Sequence, residues 1–222
     1  MFIPEATGWQ TVQSKIWTCE FCLDQERVAC NIRQQTEVPP QNVKLLLVGI
    51  APPYVSGVEQ KTKARSATND PKDNLRKLFI LPTLADTWEN LLTKGVYLIH
   101  SVKCAITVKD RHQNPPDYVV DVCAPSHFVQ EVMFIRPPRV VVFGKSSYRA
   151  LLKIPGIRVP SGLGISSRIS TLTDKTKNGL EIQADGWEFT VHISPFPLEL
   201  KKPSLAAQKI LSKAAKLAGV LP

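Results

Sequence analysis

Four stretches of the chain are almost continuously apolar and rich in aliphatic and β-branched residues. They are Val43 to Ile50 (VKLLLVGI), Gly95 to Val102 (GVYLIHSV), Arg139 to Phe143 (RVVVF) and Trp187 to Ile193 (WEFTVHI). Short runs of this kind predict strands covered on both faces, as in a parallel sheet. Between them the apolar positions recur at helical spacing. The pattern predicts helices over Leu84 to Leu92, Ser126 to Ile135, Ser146 to Leu152 and Ser204 to Leu217. Arg136-Pro137-Pro138 stops the second, and Pro203-Ser204 begins the last. Strands alternating with helices imply an α/β fold with right-handed crossovers. Ser161 to Asp185 breaks the pattern. It is rich in Gly, Ser, Thr and Lys, carries the turn signal Asn178-Gly179, and reads as an excursion or hairpin before the last strand.

The length of 222 residues allows one sizeable core. We read one domain over 1–222, with a cysteine-bearing arm over 1–40 and a basic C-terminal helix over 203–219. No run of eighteen apolar residues occurs, so no membrane span is expected. Met1-Phe2-Ile3-Pro4-Glu5 has no basic, then apolar, leader pattern, and an intracellular, reducing setting is expected. Lys and Arg number 28 against 19 Asp and Glu, a net charge of +9. Charge alone fits either solubility or a polyanionic partner such as nucleic acid. The excess is uneven: Lys201, Lys202, Lys209, Lys213 and Lys216 close the chain with no acid among them, and Lys61-Thr62-Lys63-Ala64-Arg65 forms a second cluster.

Five cysteines in a reducing compartment do not suggest disulfides. Cys19 and Cys22 form a C-x-x-C, whose spacing lets two thiolates hold one metal centre. Cys104 follows the second strand, and Cys123 opens the helical pattern after it. Zinc and an iron–sulfur cluster both accept four thiolates, so spacing leaves the two open beside a chance arrangement of buried thiols. Cys30 is left over.

Ligands of doubly wound folds bind at the carboxyl ends of the strands. Here those ends are Gly49-Ile50-Ala51-Pro52-Pro53, His100-Ser101, Gly144-Lys145 and His192-Ile193-Ser194. The last runs on as Pro195-Phe196-Pro197, which delivers a histidine and then stiffens the exit. On its own, His192 reads as a core or loop histidine satisfied by a neighbour.

Taken together, VYLIHSVKC, NPPDYVVDVCAPSHFVQEVMFIRPPRVVVFG and the two strand-end motifs resemble the iron–sulfur uracil-DNA glycosylases of families four and five. The likeness runs from about Cys19 to Leu211. It rests on the ordered set of four cysteines with both motifs, since no single motif is specific. It implies a three-layer α/β/α sandwich with a central four-stranded parallel sheet. It also implies a structural [4Fe–4S] cluster held by Cys19, Cys22, Cys104 and Cys123, and DNA bearing a deaminated base as the partner of a monomer. His192 would donate to the base as the N-glycosidic bond breaks. Base contacts would come from Gly49, Ile50, Ala51, Pro52, Tyr54, His100 and Ser194. The base must leave the duplex first. Phe196 or Leu198 would fill the gap, and Lys201 and Lys202 would hold flanking phosphates.

The chain departs from that pattern in three places. Ile50 stands where family four has a water-polarising glutamate. Family five uses a later aspartate, which makes Asp70 the candidate base, against a plain turn or N-cap role. His100 replaces the usual asparagine at its strand end. The family's stacking phenylalanine is missing, with Tyr54 the nearest aromatic. The expectation is a divergent, monofunctional glycosylase without a lyase step. A non-catalytic iron–sulfur nucleic-acid-binding protein of the same fold is the alternative, and a zinc-stabilised interaction domain is the third.

Overall fold

The computed structural model describes residues 6–22, 28–35, 41–52, 65–66, 75–106, 115–199 and 202–222. The chain opens with helix α1 (Ala6–Trp17), then β1 (Val28–Gln35), β2 (Leu45–Gly49) and the short β3 (Arg65–Ser66). A π-helical turn (Arg76–Ile80) runs into α2 (Leu81–Leu84), followed by α3 (Trp88–Thr93), β4 (Val96–His100) and β5 (Cys104–Ile106). Helix α4 (Asp117–Cys123) passes through a second π-turn (Ala124–Phe128) into α5 (Val129–Ile135). Then come β6 (Arg139–Phe143), α6 (Gly144–Leu151), α7 (Ile169–Thr176), β7 (Leu180–Ala184), β8 (Trp187–Ser194), β9 (Leu198–Glu199), β10 (Lys202–Pro203) and α8 (Leu205–Leu217).

The four predicted strands lie side by side in the order β4-β2-β6-β8, all parallel, and β7 adds a fifth, antiparallel strand beside β8. The excursion before the last strand therefore holds a helix and an edge strand, joined to β8 by a hairpin at Asp185-Gly186. Alternation along each strand splits the apolar side chains into two cores. Leu46, Val48, Ile99, Val140 and Val142 face α4, α5, α6 and α7. Leu45, Leu47, Leu98, Val141 and Phe143 face the Arg76–Ile80 turn, α2, α3 and α8. The result is the expected α/β/α layering. A small sheet, β3-β1-β5, lies apart from the central one, so the arm carries a helix and a strand of its own.

Two helix boundaries differ from the sequence reading. Leu84 ends α2, because Ala85 takes a left-handed conformation (φ 50°). Helix α3 then restarts at Trp88, where Thr87 accepts from the Asn90 N–H at 3.3 Å. The helix expected from Ser126 begins nine residues earlier, at Asp117. Pro125 looks like a boundary because it has no N–H to give. The π-turn absorbs it, with the Val129 N–H reaching back to the Ala124 carbonyl.

Candidate functional site: the strand ends and the cysteine pocket

The parallel register sets His100 against Gly49 and Phe143 against Ser194 at the carboxyl edge of the sheet. The His100 ring lies directly over Gly49. A Cβ at 49 would sit 2.7 Å from His100 Cδ2 and 3.1 Å from Leu75 Cδ2, so only glycine fits. The ladder continues past the strands: the N–H groups of Ser101 and Val102 donate to the carbonyls of Gly49 and Ile50, each at 2.9 Å. Ser101 Oγ also donates to the Ile50 carbonyl at 2.9 Å. The first motif loop thus leaves the sheet with its backbone pinned by the exit of β4. Pro52 is buried, and Ile50 and Ala51 are half-buried.

Gly144 (φ 82°) starts α6 beside this loop, where an added Cβ would meet Ile50 Cδ1 at 3.4 Å and Phe196 Cδ2 at 3.9 Å. Phe196 is 46% exposed and stands on the same edge. Ser194 is fully buried and donates to the Pro195 carbonyl at 2.9 Å. The neighbouring Lys145 is exposed.

His100 is buried, and desolvation, aided by the nearby charge of Lys103, lowers its pKa to about 3. The ring is neutral at physiological pH and can both donate and accept.

His192 lies elsewhere. It precedes the end of β8 by two residues, about 6–7 Å down the strand. It pairs in register with Val141, is wholly buried, and sits on the α8 side of the sheet. Arg139 Nη1 lies 3.0 Å from its Nε2. A guanidinium only donates, which assigns the ring proton to Nδ1. Nδ1 has no hydrogen-bond partner among the described residues. Burial first, then the charges of Arg139 and Lys213, lower the His192 pKa to about 4, opposed by the nearby carbonyls of Lys177 and Thr176. The structure therefore brings Gly49, Ile50 and His100 together, with Phe196 beside Ile50, and holds His192 two strands from Gly49, on β8, and two residues back from the edge. Asp70, Tyr54 and Lys201 lie outside the described residues. Leu198 and Lys202 belong to the β9–β10 pair, where Lys202 is in register with Glu199 and Pro203 with Leu198.

All four predicted ligand cysteines reach one pocket. Cys19, Cys22, Cys104 and Cys123 line it with Ile16, Val102, Lys103 and His127, and Phe21 stands at its edge, 67% exposed. Two thiols come from the turn after α1, one from the start of β5 and one from the end of α4. Burial pushes the Cys123 thiol up to about 11, with the Lys103 backbone N–H, 3.3 Å from its sulfur, opposing the rise. A buried thiol of this kind gives up its proton to a cationic centre, and an N–H···S bond suits a ligating thiolate. Four sulfurs in an apolar pocket fit the donor set of an iron–sulfur cluster. A single zinc ion needs its sulfurs about 3.8 Å apart, from bonds of about 2.3 Å. Among the described residues, no group of three or more Cys, His, Asp or Glu side chains is arranged to hold a metal ion.

The sequence reading missed the polar groups beneath this pocket. Lys103 is 1% exposed and Glu131 fully buried, and the two form an ion pair. Gln13 of α1 donates to Glu131 Oε1 at 3.0 Å. A usable signal exists in the four-residue recurrence of Cys123, His127 and Glu131 along one helix, and in a lysine set inside SVKC. Arg139 gave no signal, because a basic residue at the start of a strand is ordinary.

Among the described residues no helix is long and apolar enough to cross a membrane. A search of curated proteins finds no match. The family model described as the uracil DNA glycosylase superfamily matches residues 35–214, which include all five strands of the central sheet and both strand-end motifs. The chain belongs to the uracil DNA glycosylase superfamily.

Proposed function

We propose that this protein is a monofunctional DNA glycosylase that hydrolyses the N-glycosidic bond of uracil or another deaminated base flipped out of DNA. The observation that carries the reading is the edge formed by Gly49, Ile50 and His100 within a chain of this superfamily. Breaking the bond separates a base anion from an oxocarbenium-like sugar, and preorganised donors at the base favour that separation. The neutral His100 imidazole offers such a group at the strand end, in place of the amide the family uses there. Phe196 is the exposed apolar group suited to fill the vacated stack. Lys145, Lys201 and Lys202 supply charge for the phosphates. His192 would polarise the base through its Nδ1–H once that donor is uncovered, and Asp70 would orient the water.

Cys19, Cys22, Cys104 and Cys123 would hold a [4Fe–4S] cluster, whose contribution is to fasten the arm to the core. The shared pocket and the N–H···S bond support this assignment.

Two observations favour a second reading. His192 is buried against Arg139, and Ile50 can neither polarise nor hold a water. A non-catalytic DNA-binding protein of the same fold would carry these features without cost. Oligonucleotides bearing U, hypoxanthine, xanthine or T opposite G, or U in a single strand, separate the two when incubated with the protein and then treated with hot alkali. We expect breaks at one of these bases that disappear in His192→Ala. Protein that binds DNA and cuts none of them establishes the second reading.

A further inference from the structure

The backbone N–H of Lys103 donates to Cys123 Sγ at 3.3 Å. Its side chain turns the other way. Nζ is ion-paired with Glu131 and lies 2.5 Å from the carbonyl of His100, the residue at the sheet edge. The ammonium also stands 5.8 Å from the centre of the Phe128 ring. Glu131 in turn accepts from Gln13, on the helix that leads into Cys19 and Cys22. One residue thus touches a thiol of the cysteine pocket, the Glu131 side chain beyond that thiol and the strand end, and through Glu131 it reaches the arm.

Burying a lysine and a glutamate this completely is costly and seldom adds net stability over an apolar pair. Its use here is positional. The His100 carbonyl is at the very end of β4, where the ring packs against Gly49, and the loop beyond it must turn from Ser101 toward Cys104. A charged donor fixed from behind by Glu131 holds that carbonyl in one orientation.

We propose that Lys103 is a positioning residue that couples the cysteine pocket to the His100 end of the base site, through the chain Gln13–Glu131–Lys103–His100. The activity arm of the test rests on the glycosylase reading; the structural arm does not. The double variant Lys103→Met/Glu131→Gln leaves no unpaired buried charge and keeps an acceptor for Gln13. Its imidazole ¹³C and ¹⁵N resonances of His100, assigned by their loss in His100→Gln, are compared with those of the wild-type protein, both carrying equal visible absorbance near 400 nm. We expect these resonances to move, and kcat to fall about 10- to 100-fold with KM within about twofold, as for a misplaced contact at the reacting end.

Lys103→Arg keeps the pair with Glu131 but puts a longer planar group at the carbonyl. It should move the same resonances less, and it decides alone if the double variant does not fold. His100 resonances unmoved in the folded variants overturn the proposal, whatever the activity. Wild-type protein that cuts no base overturns the glycosylase reading instead and leaves the resonances to decide the coupling.

Discussion

His192 makes a quantitative claim that can be tested without any substrate. Its ring is fully buried, and its pKa falls from 6.5 to about 4, first through lost hydration and then through Arg139 and Lys213. Above pH 6.5 the ring is neutral in both the native and the unfolded chain, and it contributes no pH dependence. Between 6.5 and 4 the unfolded chain takes up a proton that the native protein refuses, so acidification favours unfolding. Below about 4 both are protonated and the effect levels off. The fall from 6.5 to about 4, at about 1.4 kcal/mol per pH unit, sets a limit of about 3.5 kcal/mol, of which about 3 kcal/mol is lost across this window. The assay is urea unfolding of wild-type protein and His192→Gln at half-unit steps from pH 4 to 7.5. Every other titrating group is common to the two, so their difference in stability isolates the histidine. We expect wild type to lose about 3 kcal/mol relative to the variant between pH 6.5 and 4, with equal slopes above 7. A difference that stays constant with pH would refute the reasoning: the ring would then accept a proton in the native state, and the burial against Arg139 would be wrong.

Gly49→Ala forces a methyl group to within 2.7 Å of His100 and should cost about 1–3 kcal/mol of stability. Adding His100→Ala should recover most of it in thermal melts, whereas additive costs would mean the ring is not the obstacle. Thr176 Oγ1 accepts from the Ile193 N–H at 2.8 Å and donates to the Leu172 carbonyl at 2.9 Å. Thr176→Val orphans that buried N–H and should cost about 1–3 kcal/mol by denaturant unfolding; a neutral result would place water there. Cys104→Ser and Cys123→Ser should each abolish absorbance near 400 nm and release iron, while Cys30→Ser should leave both unchanged; colour that persists in the first two would remove those residues from the ligand set.

The central sheet was legible because its strands are buried on both faces and so read as plain apolar runs. The edge strand was not, because Leu180 to Ala184 alternates like any exposed segment and owes its place to pairing with β8. Pro125 hid half of a helix, since a π-turn that absorbs a proline leaves no mark in composition. The cysteine set was legible as a set, and the shared pocket follows from a fold that returns residue 123 to residue 19. The position of His192 was not. Sequence gives its place near a strand end, but which rung it occupies depends on how far β8 runs before Pro195, and the pairing of Phe143 with Ser194 carries the strand two residues further. Lys103 and Glu131 stayed hidden for a related reason: each looks like a surface charge until its partner is known.

The contact between Gln13 and Glu131 spans 118 positions of sequence. During synthesis at roughly 5–20 residues per second, the first helix therefore waits about 6–24 s after Gln13 is made for its docking partner to be made. Through that interval Trp9 and Ile16, which end wholly or almost wholly buried, have no core to enter, and Cys19 and Cys22 stand as an unmatched pair of thiols. The arm is made well before the helix it docks on, and it finds its place only when that helix is complete. The pocket is complete only once the helix bearing Cys123 has emerged, and a nascent chain stalled before that point would present two thiols and the buried face of a helix, Trp9 and Ile16, to the cell.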